Sequence, residues 1–304
     1  MIFWHGSIRN KIRGATYVKK KASTLIALAL SLHVATSSAS DINDRCEQNV
    51  ENIYPTLPED SQVFASRHGN RRAQDNIKGS ANLTNKTYSH EIKDITVHYP
   101  AGSYDPGSMV RLGLPYGGIE FKSKLKQPGR ECLILTYELK FDKNFNFVKG
   151  GKLPGLYGGT GNTGGKIPNG HDGFSTRYIW KENGVGAIYA YLPTSKTWGT
   201  AIGLGSWTFS VGQWHTLEQL VKLNTPGRAD GVISIWYDKK LVHSETGLTF
   251  RDTKNLTIDG LLFSTFFGGN NASFATPAST NIQFRNFVMS SHRIANTSGQ
   301  SAGN

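Results

Sequence analysis

From residue 92 onwards, short apolar runs alternate with turn residues every ten or so positions, the pattern of a β-sandwich or barrel. The run CLILTYELKF, residues 132–141, shows it most plainly. Leu133, Leu135, Tyr137, Leu139 and Phe141 share one face while Thr136, Glu138 and Lys140 share the other, which predicts a half-buried strand. Similar runs occupy 118–125, 214–223, 232–237, 261–267 and 282–289, with turns expected at 128–129, Pro226-Gly227 and Gly268-Gly269. No helix longer than a turn or two is predicted beyond residue 40, and no repeat or low-complexity linker divides the chain. Residues 91–304 are therefore expected to form a single all-β domain ending in a short polar tail. Residues 41–90 are polar, with few periodic apolar positions, and read as a loop-rich extension packed on its outside.

Residues 1–40 depart from this pattern. Lys19, Lys20 and Lys21 precede an apolar run at 25–32 and then small residues ending Ser38-Ala39-Ser40. That is the order of a secretory signal, and the run is too short to span a bilayer comfortably. The mature chain is thus expected outside the cell or in a periplasm, free of membrane and acting as a monomer. Secretion permits a disulfide between the chain's two cysteines, Cys46 and Cys132, although so wide a spacing fixes no geometry.

Charge sharpens the choice of partner. The formal net charge is +12. Removing residues 1–40 takes away six basic residues and no acid, leaving 28 basic and 22 acidic residues, a net +6. A basic surface favours a polyanion. No dense cluster of Lys and Arg with interleaved aromatics marks a nucleic-acid site, and no His and Cys spacing suits zinc.

The stretch GGKLPGLYGG, residues 150–159, breaks the alternation. Half of its ten residues are glycine and one is proline, so it reads as neither a helix nor a regular central strand. It presents a single charge, Lys152, from a stiff and unobstructed support; a plain glycine-rich corner with the lysine in water is the competing reading. Two strands follow. In FSTRYIW, residues 174–180, Ser175 and Arg177 share a face, and in AIYAYL, residues 187–192, Tyr189 and Tyr191 do. With 181–186 as a hairpin loop, all four face the same side, near Lys152 and with no carboxylate among them.

Such a set suits an acidic sugar. A glycoside hydrolase needs a pair of carboxylates flanking the bond, and this stretch supplies none. A β-eliminating lyase must instead neutralise a uronate carboxylate, take the proton from C5 and protonate the departing O4. Tyrosine beside a cation suits either proton transfer. Taken singly, Arg177 and the tyrosines also suit ordinary strand positions. His171 and His215 are alternative bases without a visible carboxylate or metal arrangement.

The segments GGKLPGLYGG, FSTRYIW and IYAYLP together resemble the signature of polysaccharide lyase family 14, which includes alginate lyases and polyglucuronate lyases. YPAGSYDPGS at 99–108, PYGGIEF at 115–121, WHTLEQLVKLNT at 214–225 and DGVISIWYDKKLV at 230–242 extend the resemblance over about 92–290. It implies a jelly-roll β-sandwich of two antiparallel sheets with a concave cleft for an acidic polysaccharide. It also implies a catalytic set of Lys152, Arg177, Tyr189 and Tyr191, with Ser175, Lys152 and Arg177 binding substrate and no metal or organic cofactor. The expected reaction is β-elimination on alginate, with polyglucuronate as the alternative sugar and a non-catalytic carbohydrate-binding jelly roll as the alternative class.

Overall fold

The computed structural model describes Cys46 and residues 52–55, 77–84, 94–127 and 129–293. The expected signal segment, most of the 41–90 extension and the tail beyond 293 lie outside the described residues. In chain order the strands are β1 (Ile77–Lys78), β2 (Leu83–Thr84), β3 (Asp94–Tyr99), β4 (Ile119–Lys124), β5 (Cys132–Phe141), β6 (Gly150–Gly159) and β7 (Gly173–Lys181). They continue as β8 (Gly186–Tyr191), β9 (Thr200–Ile202), β10 (Trp214–Lys222), β11 (Gly231–Tyr237), β12 (Lys240–Leu248), β13 (Gly260–Phe267) and β14 (Thr280–Ser290). One short helix, α1 (Pro106–Leu112), is capped by Asp105, whose carboxylate accepts from the Ser108 amide at 2.8 Å.

These strands pair antiparallel into two seven-stranded sheets, giving a β-sandwich. The front sheet runs β1-β4-β13-β6-β7-β8-β9 and the back sheet β12-β11-β10-β5-β14-β3-β2. Alternation sends Leu133, Leu135, Tyr137, Leu139 and Phe141 of β5 into the space between them, all 0% exposed. There they join Leu153, Leu156, Phe174, Tyr178 and Trp180 of the front sheet in one core. Ile134 of β5, on the opposite face, is also buried, because Leu220 and Trp236 cover it on the outside of the back sheet.

The glycine-rich stretch corrects the reading made from its composition. It is a ten-residue strand, β6, fourth of seven in the front sheet. Proline survives there because the ladder is bulged around it. Between the pairs Lys152↔Ile179 and Gly155↔Arg177, β6 carries one residue more than β7. The glycines answer to what lies against them: a Cβ on Gly151 would stand 2.0 Å from the Trp180 indole, and one on Gly155 would stand 2.5 Å from the Arg177 backbone.

The bulge frees polar backbone groups inside the sandwich, and the back sheet satisfies them. Tyr137 donates its hydroxyl to the Pro154 carbonyl at 3.1 Å. Gln219 of β10, fully buried, donates to the Thr176 carbonyl at 2.8 Å and accepts from the Thr176 hydroxyl at 3.0 Å and the Leu156 amide at 3.4 Å.

The described part of the 41–90 extension takes part in both sheets. β1 pairs with the edge of β4 and β2 with the edge of β3. Between them Asn82 is buried, donating to the carbonyls of Tyr116 at 2.6 Å and Gly118 at 2.9 Å. Cys46 and Cys132 are disulfide-bonded, their Cα atoms 5.6 Å apart, which ties the extension to the start of β5.

Candidate active site

Residues directly opposite in an antiparallel ladder point to the same side. Arg177 faces Tyr189, Ser175 faces Tyr191, and Lys152 faces both Ile179 and Phe266. The front sheet thus carries Lys152, Arg177, Ser175, Tyr189 and Tyr191 on its outer face, away from the core. They do not reach the surface equally.

Lys152 is half-buried, its Nζ 4.9 Å above the Tyr189 ring and 5.9 Å from that of Phe266. Its hydrogen bond to the Gly268 carbonyl is long, 3.5 Å. Burial lowers this amine to about 7, and the charges of Arg177 and Lys181 add to the effect while Asp105 opposes it. Lys152 is therefore the one cation of the set that readily gives up its charge near neutral pH.

Arg177 is only 2% exposed. Its Nη1 donates to Ser264 Oγ at 3.2 Å, and Ser264 donates in turn to Glu120 Oε2 at 3.0 Å. Glu120 is also paired with Lys78 at 2.9 Å. The group therefore does contain a carboxylate. Alternation along β4 puts Glu120 on a polar face, but only the sheet order brings it towards Arg177. Burial works against the Arg177 charge and the Glu120 carboxylate favours it, as do the two phenols. Arg177 Nε is buried without a partner.

The tyrosines differ in access. Tyr189 is half-buried, while Tyr191 is 1% exposed beneath the connection between β6 and β7, whose Gly165 amide donates to its hydroxyl at 2.9 Å. Their rings meet edge to face at 5.5 Å. Burial, followed by the neighbouring Tyr191 phenol, pushes Tyr189 up to about 12, although Arg177 pulls the other way. The Tyr189 hydroxyl accepts from the Gly199 amide and is hydrogen-bonded to Tyr191, the second contact keeping its proton in place.

Ser175 has its hydroxyl on this face but covered. It is fully buried and donates to the Asn162 carbonyl at 2.6 Å, fastening the same connection that covers Tyr191. His215 lies in the other sheet, on β10, where it is bound to Asp238 at 2.9 Å, Ser210 at 2.7 Å and Tyr237 at 2.8 Å. His171 is exposed on the β6–β7 connection, where its amide donates to Asn169. Among the described residues no group of three or more His, Cys, Asp or Glu side chains is arranged to hold a metal ion.

Comparisons with known proteins bear on the family and the fold. The marine PL-14 alginate lyase from Aplysia kurodai superposes with a TM-score of 0.63 at 27% identity, covering 80% of this chain and 98% of that one. The alginate lyase vAL-1 from Chlorella virus gives 0.57 at 21% identity over 70% and 95% of the two chains. The alginate lyase Aly36B gives 0.57 at 19% over 80% and 93%, and a double mutant of it has been solved in complex with alginate tetrasaccharide. At these lower identities the likeness is one of fold. Curated protein sequences give no significant match. The sequence profile described as Polysaccharide lyase 14 matches residues 87–287, two-thirds of the chain and all of the site strands β4, β6, β7, β8 and β13, and the protein belongs to that family.

Proposed function

We propose that the protein is a secreted lyase that cleaves mannuronate-containing alginate by β-elimination, with Lys152 as the base and Tyr189 as the acid. The observation that carries this reading is the Lys152 amine held 4.9 Å above the Tyr189 ring on one face of the sheet, where burial lowers the amine to about 7 and raises the phenol to about 12. Near pH 8 the first is mostly free to accept a proton and the second still holds one to give. In the step, the Lys152 amine takes the C5 proton and the electron pair forms the C4–C5 double bond. The C4–O4 bond breaks as Tyr189 protonates O4. Arg177, with one N–H lacking a partner, supplies the charge that stabilises the substrate carboxylate as negative charge builds at C5. Proton return from the lysine ammonium to the tyrosinate, directly or through solvent, restores both groups.

Base and acid stand on one face of one sheet, so they address the sugar from one side. That arrangement suits elimination in which the C5 proton and O4 leave from the same side of the ring, the stereochemistry of mannuronate and glucuronate but not of guluronate. Alginate as the polymer is supported by the likeness to the Aplysia kurodai alginate lyase. Secretion is supported by the signal-like residues 1–40 and the Cys46–Cys132 bond, which persists in oxidising compartments.

The test is to incubate the mature protein with alginate, polymannuronate, polyguluronate and polyglucuronate and follow the ultraviolet absorbance of the unsaturated uronate. Polymannuronate is expected to react fastest and polyguluronate slowest. Preference for polyglucuronate would change the sugar and keep the chemistry, whereas binding without absorbance would make this a carbohydrate-binding module.

A further inference from the structure

The outer face of the front sheet continues past the reacting group. Alternate residues of β4 share a side, and Lys122 and Lys124 are its exposed members. Lys122 stands opposite Leu262, Leu262 opposite Gly155, Gly155 opposite Arg177, and Arg177 opposite Tyr189, one unbroken row across five strands. With strands roughly 4.8 Å apart, the three steps from β4 to β7 separate Lys122 from Arg177 by about 14 Å at the backbone. Between them on this row lie Gly155, which has no side chain, and Leu262, which carries no charge. Beyond Tyr189 the same row ends on Ala201, without a cation.

Lys122 is also held in place. Its Nζ donates to the Thr160 carbonyl at 2.6 Å and lies 5.1 Å from the centre of the Tyr157 ring, so the long side chain is held by two contacts. A fixed cation loses less freedom on binding than a mobile one. On the lyase reading above, we propose that Lys122, with Lys124 beside it, forms a second carboxylate-binding subsite that grips the same polyuronate chain away from the bond being cut. A polymer whose every unit carries a carboxylate places one of them at Arg177 and a later one at this ledge.

The test compares Lys122→Ala with Lys240→Ala, which removes an equal charge from an exposed position on β12 of the back sheet. Both are measured on polymannuronate and on oligosaccharides of decreasing length. Lys122→Ala is expected to lower kcat/KM on the polymer roughly three- to fivefold, through KM, with the loss shrinking as the oligosaccharide shortens, while Lys240→Ala matches wild type. An equal loss at every length, an equal loss in Lys240→Ala, or no loss at all overturns the subsite. If wild type releases no unsaturated product from any polyuronate, the lyase reading has failed instead. Retardation of wild type and Lys122→Ala in a native gel containing the polymer then decides the subsite by itself, equal retardation refuting it.

Discussion

Lys152→Arg separates the two services a lysine offers beside a uronate. Arginine keeps the positive charge but stays protonated throughout the accessible pH range. At pH 7.5 an amine at about 7 is roughly three-quarters free, whereas a lysine at its ordinary 10.5 is free about once in a thousand molecules. Burial beside Arg177 and Lys181 therefore raises the population of free base several hundred-fold. If Lys152 is the base, Lys152→Arg should lower kcat by about 100-fold to 10,000-fold with little change in KM. In wild type, kcat/KM should fall about tenfold per pH unit below about 7 and level off above it. The assay is the initial rate of ultraviolet absorbance on polymannuronate between pH 5 and 9, with folding checked by circular dichroism. Turnover in Lys152→Arg within tenfold of wild type, or a profile flat across pH 7, would refute the reasoning and return Lys152 to the role of a fixed cation.

The same depression acts on stability. The folded chain holds this proton less tightly than the unfolded chain, so the penalty is present in full below about pH 7 and is relieved as pH rises from there to 10.5. At about 1.4 kcal/mol per pH unit it reaches on the order of 5 kcal/mol. Lys152→Met, which carries no charge, should therefore unfold at higher urea than wild type at pH 6, the two converging near pH 10.5.

Three further outcomes follow from the contacts around the site. Tyr189→Phe should lose at least 100-fold in kcat, while Tyr191→Phe, whose side chain is 1% exposed beneath the β6–β7 connection, should lose less; the reverse order in steady-state kinetics would exchange their roles. Glu120→Gln keeps an acceptor for Ser264 but removes the charge opposing the buried Arg177; kcat should fall about tenfold or more, with the loss non-additive with that of Ser264→Ala in a double-mutant cycle. Gln219→Leu leaves the Thr176 carbonyl and the Leu156 amide without their buried side-chain partner, while the Thr176 hydroxyl keeps the Leu156 carbonyl, and urea unfolding should show a loss of about 3 kcal/mol or more.

Much of this protein is written locally. A period of two along β5, β7 and β8 assigns each side chain to a face whatever its neighbours are, so the sandwich core is legible from alternation, and the shared side of Arg177, Tyr189 and Tyr191 from alternation with the short hairpin loop between β7 and β8. The family resemblance is legible too, because it rests on contiguous motifs. Other features depend on segments distant in sequence. A proline among glycines reads as a break in regular structure; it is a bulged central strand only because Tyr137 and Gln219 reach across from the back sheet to the groups the bulge frees. Glu120 joins Arg177 because β4 lies three strands from β7, an order no local pattern encodes. Ser175 alternates with Arg177, yet its hydroxyl is covered by the connection carrying Asn162. Above all, the sequence supplies a lysine and two tyrosines with ordinary titration. Desolvation and neighbouring charge, which exist only once the sheets are packed, bring Lys152 and Tyr189 to values suited to a base and an acid.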